Sequence, residues 1–194
     1  MNVLVVPEDF RKDQYLLKPI IGAMLSFLGK PNARVRVCKD PLLGGVREAL
    51  KLERLREIID RYRGMVQLFI LVVERDGDPH RRAALDERER QLASRLSMRT
   101  FFVAENAWQE IETWALAAQK LPKSWSWQDV RSEPDVKERY FIPYAVHRSL
   151  LDDPGEGRRT LGQEAARKYS RLRSRCPEDV QILETRIAAI LATK

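Results

Sequence analysis

Residues 65–73 read Met-Val-Gln-Leu-Phe-Ile-Leu-Val-Val, nine positions with one polar side chain, and then run into Glu74-Arg75-Asp76-Gly77-Asp78-Pro79. A stretch this short and this continuously apolar has no face to offer water. It therefore predicts a strand covered on both sides, the central strand of a parallel sheet. Parallel neighbours are joined by crossovers, usually helices, so strands and helices should alternate around it. Asn2 to Val6 predicts a first buried strand, stopped at Pro7-Glu8-Asp9. Asp13 to Leu28 carries Leu16, Leu17, Ile20, Ile21, Met24, Leu25 and Leu28 at helical spacing, with Pro19 expected to bend or delay the helix. Ala33 to Cys38 alternates Arg34 and Arg36 with Val35 and Val37, the pattern of an edge strand.

Val46 to Arg63 predicts a long amphipathic helix ending at Gly64. A charged helix from about Arg82 to Leu96, a fourth strand at Arg99 to Ala104 and a helix at Gln109 to Gln119 follow. This order predicts an α/β fold with a mainly parallel four-stranded sheet flanked by helices over residues 1–120. Leu121 to Pro134, with two prolines and two tryptophans, reads as a loop. Helices around Val136 to Leu151, Thr160 to Arg175 and Glu178 to Ala192 make residues 121–194 a helical C-terminal extension.

With 194 residues the chain fits one main core. Its longest apolar runs fall far short of the roughly 20 residues that span a bilayer, so no membrane is expected as a partner. The opening Met-Asn-Val-Leu-Val-Val-Pro-Glu-Asp lacks the basic and long apolar regions of a signal peptide, and a cytoplasmic location is expected. Cys38 and Cys176 stand far apart without a CxxC or a neighbouring histidine cluster, which points away from a disulfide framework and a zinc site. His80 and His147 are isolated, so nucleophilic catalysis of the Ser-His or Cys-His kind has no support. Neither a P-loop nor a dinucleotide fingerprint occurs. A net charge of +7 favours a polyanionic partner, diluted by 28 carboxylates whose arrangement matters more.

In an open parallel sheet, ligands gather beyond the carboxyl ends of the strands. Glu8 and Asp9 follow the first strand, Glu74, Asp76 and Asp78 the central one, and Glu105 the fourth. Carboxylates brought together repel, and a hard divalent cation, Mg²⁺ or Mn²⁺, relieves the repulsion. Such an ion polarises phosphoryl oxygens and activates water, which is the chemistry of phosphodiester cleavage. The plainer reading is that these acids cap helices and solvate loops. A calcium-binding EF-hand is a poor fit, because a strand precedes the acids and Pro79 interrupts them.

Three pieces together resemble the topoisomerase-primase (TOPRIM) fold, and more narrowly the small TOPRIM-like proteins allied to OLD-family nucleases and RloB-like phage-defence proteins. They are Val-Leu-Val-Val-Pro-Glu8, Ile-Leu-Val-Val-Glu74-Arg-Asp76-Gly-Asp78, and Glu110-Ile-Glu112-Thr-Trp114-Ala-Leu116. The resemblance covers about residues 2 to 118. It implies a metal-dependent nuclease or nuclease subunit working in phage defence or genome maintenance with an ATPase subunit, on nucleic acid, DNA ahead of RNA. Carried over by position, it implies Glu8 as metal-organising acid and proton carrier, Glu74 and Asp76 as the metal-binding pair, Asp78 as a further metal ligand, and Glu112 as a supporting catalytic acid alongside Glu8 and Asp76. The chain departs from the family pattern at Asp9, where a glycine is usual, at Asp13, which alone stands for an expected second acid, and at Glu74, which replaces an aspartate. Those departures keep open a catalytically silent scaffold that binds nucleic acid or an ATPase. A phosphoacceptor receiver domain also carries acids after strands one and three, but it needs Ser or Thr where Ala104-Glu105 ends the fourth strand.

Arg75, Arg81 and Arg82 flank the acids and are candidates to hold a scissile phosphate. Arg158, Arg159 and Lys168, with Arg167, Arg171, Arg173 and Arg175, form a basic helix, either a nucleic-acid track or a solvated face. Trp114 reads as core. Trp125 and Trp127, around Lys123, either stack on bases or plug an apolar groove.

Overall fold

The computed structural model describes residues 1–193. Four parallel strands, β1 (Asn2–Pro7), β2 (Arg34–Val37), β3 (Leu68–Glu74) and β4 (Phe101–Ala107), lie in the order β2-β1-β3-β4. As the apolar run predicts, β3 is central, paired with β1 on one side and β4 on the other, and the Arg-Val strand β2 is an edge. Alternate side chains of each strand feed two separate cores. Val3, Val5, Leu68, Ile70, Val72 and Val103 face one, while Leu4, Val6, Phe69, Leu71, Val73 and Ala104 face the other.

The helices divide accordingly. α1 (Phe10–Phe27) packs on the first face; α2 (Val46–Ala49), α3 (Leu52–Arg61) and α4 (Arg81–Leu92) pack on the second. α1 begins three residues before its expected start because Asp9 caps it, accepting from the Arg11 amide at 3.0 Å, and Pro19 sits inside the helix. The helix expected over 46–63 is interrupted at Leu50-Lys51.

Beyond the sheet come α5 (Glu112–Ala117), α6 (Trp127–Ser132), α7 (Ile142–His147), α8 (Arg158–Arg167), α9 (Tyr169–Arg175) and α10 (Ile182–Ala192). The loop expected at 121–134 contains α6. Ser126 caps it by accepting from the Asp129 amide at 3.0 Å, a Ser-x-x-Asp signal readable in the sequence. Two π-helical turns, Lys137–Phe141 and Pro177–Gln181, lead into α7 and α10. The C-terminal helices share the first core with the sheet: Leu161, Ala165, Leu172, Val180, Leu183 and Ile187 pack with the buried face of α1 and with Trp114. At Gly162, α8 approaches α1 so closely that a Cβ would collide with the Tyr15 carbonyl oxygen. Among the described residues, no helix is long and apolar enough to cross a membrane.

Candidate functional site

Strand order reverses direction between β1 and β3, the switch point at which the loops of an open parallel sheet diverge and leave a crevice. Glu8 leaves β1 there and Glu74 is the last residue of β3. Glu8 Oε1 accepts the Glu74 amide at 2.7 Å, and Glu74 Oε1 accepts the Ile111 amide at 3.1 Å, one residue before Glu112 opens α5. Asp13 enters from the first turn of α1, its Oδ2 accepting the Asp9 amide at 3.1 Å. These contacts thread two strand ends and two helix starts into one cavity of about 210 Å³, lined by Glu8, Asp9, Asp13, Glu74, Glu110 and Glu112. Lys12, Lys137 and Arg158 also line it, but each is already engaged by a carboxylate: Lys12 by Glu156 at 2.9 Å, Lys137 by Glu138 at 2.8 Å, and Arg158 by Glu112 and Glu156.

Burial and mutual repulsion set the acid-base character of the site. Burial pushes Glu8 up to about 7, against the pull of the Glu74 amide, with Asp76 and Glu112 adding repulsion and Arg81 relieving it. Burial likewise carries Asp13 to about 8, opposed by the Asp9 amide and reinforced by Glu112, Glu8 and Asp9. Glu74 is held well above the carboxylate range by burial and by Glu112 and Glu8. Glu110 is pushed to about 7 by burial, although the Lys137 amide, 2.5 Å away, favours its charge. Asp76 is also raised, by burial, with Arg81 opposing and Glu112 reinforcing. Strongly raised carboxyls gathered in one cleft mark a candidate functional site.

Not every residue predicted for the site belongs to the cavity. Asp76 does not line it; it sits on an exposed turn with φ 49°, a left-handed conformation that aspartate tolerates, near enough to Glu8 and Glu112 for their charges to repel. Asp78 points to other work: its Oδ1 accepts the His80 amide at 2.8 Å at the entry to α4, and Oδ2 lies 3.6 Å from Arg81. Glu105 falls within β4, opposite Val72, because the strand runs three residues further than its expected end. Arg82 (2.9 Å) and Arg186 (3.6 Å) pair with it there, away from the acids. Arg82 is thereby bound into the scaffold, donating also to the Ala104 carbonyl at 2.8 Å.

Arg158 requires a larger correction. Expected on a nucleic-acid track, it is 1 % exposed and clamps Glu112 Oε1 through both Nε and Nη2, because its helix packs inward against α1 and α5. It cannot reach an external phosphate. The basic helix is otherwise two helices, and its cations are partly spent: Arg159 on Asp153, Arg173 on Glu184, and Arg171 on the Gln119 carbonyl. Lys168 and Arg167 are exposed. Arg75 lies over the Trp108 ring at 4.0 Å, and Arg81 is buried with its Nε unpartnered. Trp114 is core, its Nε1 donating to Asp179, whereas Trp125 packs against Tyr140. Sequence reading missed Glu110 as a cavity acid; its place two residues before Glu112, facing the same strand ends, was the available signal.

The residues fit a hard divalent cation in kind. They are all oxygen donors, they repel one another, and Glu112 Oε2 is buried without a hydrogen-bond partner. Among the described residues, no group of three or more His, Cys, Asp or Glu side chains already stands in ligating position. No protein-family model matches the chain, and neither a curated protein nor a solved structure matches it.

Proposed function

We propose that this protein is a divalent-metal-dependent nuclease or nuclease subunit with a TOPRIM-like fold, and that Glu8, Glu74, Asp76 and Glu112 form its working centre with Asp13 in support. The observation that carries the reading is the convergence of Glu8, Glu74 and Glu112, from the ends of β1 and β3 and the start of α5, on one acidic cavity at the switch point. The all-parallel four-stranded sheet and the acid after each of its two middle strands support the family resemblance. Mg²⁺ or Mn²⁺ would be held by Glu8, Glu74 and Asp76, with Glu112 Oε2 the next available oxygen, and would supply phosphoryl polarisation and an activated water. Glu8, titrating at about 7, is suited to take or return a proton near neutral pH. Arg158 fixes Glu112 so that one oxygen is committed and the other is left toward the cavity. Arg81, whose charge relieves Glu8 and Asp76, and Arg75, on the loop between Glu74 and Asp76, are the candidate cations to meet a phosphate. Phage defence or genome maintenance, with an ATPase subunit as partner, belongs to this reading through the resemblance alone.

A cleavage assay tests it. Plasmid, linear duplex and single-stranded substrates are incubated with Mg²⁺ or Mn²⁺ and wild type, Glu8→Ala or Asp76→Ala. The reading expects metal-dependent cutting that both variants lose while retaining the fold. Cutting that survives both substitutions, or no cutting by wild type on any substrate, refutes it. The second reading, a silent scaffold, is favoured by the departures from the family pattern at Asp9, Asp13 and Glu74.

A further inference from the structure

Beside the acidic cavity lies a second one, of about 440 Å³, in the size range of small-ligand pockets. Its walls include Trp108, Trp127, Gln128, Arg131, Ser174 and Arg175. Two half-buried indoles and two guanidinium groups in one pocket make an unusual lining for a protein surface, since Trp exposed to water is costly unless it meets a partner. The position is anchored rather than incidental. Asp179, fully buried on the π-turn before α10, accepts from the Trp108 amide at 2.7 Å and pairs with Arg131 at 2.9 Å. Trp127 Nε1 donates to the Arg175 carbonyl at 3.3 Å, and the Arg175 guanidinium lies 5.4 Å above the Trp127 ring.

Two features point to a ligand. Arg131 is 8 % exposed and its Nη1 and Nη2 are held by Asp179 and Glu178, which leaves its Nε without a hydrogen-bond partner. Arg175 forms no ion pair with a carboxylate among the described residues; its Nη1 donates to the Ala117 carbonyl at 3.4 Å, and burial with a neighbouring Arg171 lowers its pKa. The pocket is also tied to the acidic site through one loop. Arg75, between Glu74 and Asp76, lies on Trp108, and its amide donates to the Gln109 carbonyl at 2.8 Å. Gly77 donates to Gln109 Oε1 at 2.9 Å.

We infer that this pocket is a stacking subsite for an unpaired nucleobase, which holds a single-stranded segment of nucleic acid beside the acidic cavity. Indole and guanidinium faces stack on any base, and Arg175, which no carboxylate pairs among the described residues, is the cation left to meet a flanking backbone phosphate. A base inside a duplex cannot enter, because its faces are already covered by its neighbours. The inference rests on the nuclease reading for placing the scissile phosphate at the acids, and it adds the substrate class: single strands, or duplex ends and junctions with unpaired bases.

The test is a binding measurement in EDTA, so that it is independent of cleavage. A fluorescein-labelled oligothymidylate and a labelled blunt duplex are titrated with wild type, Trp127→Ala and Trp127→Phe, with thermal melting to establish folding. Base-aromatic stacking contributes enough that Trp127→Ala should weaken oligothymidylate binding on the order of tenfold. Duplex binding should be unchanged, and Trp127→Phe should retain most of the single-strand affinity. Equal oligothymidylate binding by wild type and Trp127→Ala overturns the inference. So does a parallel loss for both nucleic acids, or failure of wild type to bind the single strand at all. Binding without cutting refutes the nuclease reading and leaves the subsite standing, whereas metal-dependent cutting with Trp127-insensitive binding does the reverse.

Discussion

Replacing Glu8 by glutamine should make the folded protein more stable at pH 8 in EDTA. Glutamine has the same shape and keeps an oxygen to accept the Glu74 amide, but it removes a charge that burial, Asp76 and Glu112 all disfavour. Burial pushes the folded carboxyl up to about 7, against an ordinary glutamate value of 4.5. The folded chain therefore keeps this proton over a range in which the unfolded chain gives it up. Wild-type stability from this residue is intact below pH 4.5, falls as pH rises to 7, and stays at its lowest above that. At 1.36 kcal/mol per pKa unit the full penalty is about 3 kcal/mol; exchanging a charged acceptor for a neutral one on the Glu74 amide reduces the gain to about 1–3 kcal/mol. For a chain of this size that is roughly 3–10 °C in Tm. Thermal melts of wild type and Glu8→Gln from pH 4 to pH 8.5 read it directly. The two should coincide at pH 4, separate between pH 4.5 and 7, and run parallel above. A variant less stable than wild type at pH 8, or a difference independent of pH, refutes the electrostatic account of the site.

Arg158→Met leaves Glu112 buried at 3 % exposure without its counter-ion, and should cost about 3–5 kcal/mol in urea unfolding at pH 8; a loss under 1 kcal/mol contradicts the assigned pairing. Gly162→Ala should destabilise by about 1–3 kcal/mol, because the added methyl meets the Tyr15 carbonyl oxygen and, at 3.1 Å, the Leu16 Cα, and a neutral result would show that α8 does not press on α1. Asp179→Asn should lower Tm by several degrees while shifting Trp fluorescence, since Trp108, Trp114 and Arg131 all bond to that carboxylate; unchanged emission would separate Asp179 from the pocket.

The sheet was legible because its signals are local and physical. A nearly unbroken apolar run makes β3 central, Arg-Val alternation makes β2 an edge, and acids placed after strands β1 and β3 meet by topology. Glu8 and Glu74 come together for that reason, whereas Glu112, at the start of α5, is indicated by the family resemblance. The basic helix misled because spacing on one helix says nothing of what packs against it: Arg158 shares its helix with the exposed Arg167, yet turns inward to Glu112. Glu105 differs because β4 runs on to Ala107, which makes it a residue of the sheet opposite Val72 and not a loop acid beyond the strand end. The two π-turns, which bring Lys137 to Glu110 and Asp179 to Trp108, have no periodic sequence signature.

Calorimetric titration of Mn²⁺ at pH 7, repeated in two buffers of different ionisation heat, bears most directly on whether the acids share a cation. A metal that displaces protons from Glu8, Asp13 and Glu74 should bind saturably and release on the order of one proton or more, and Glu74→Gln should abolish both signals. Absence of saturable binding, or binding with the same heat in both buffers that survives Glu74→Gln, would contradict it.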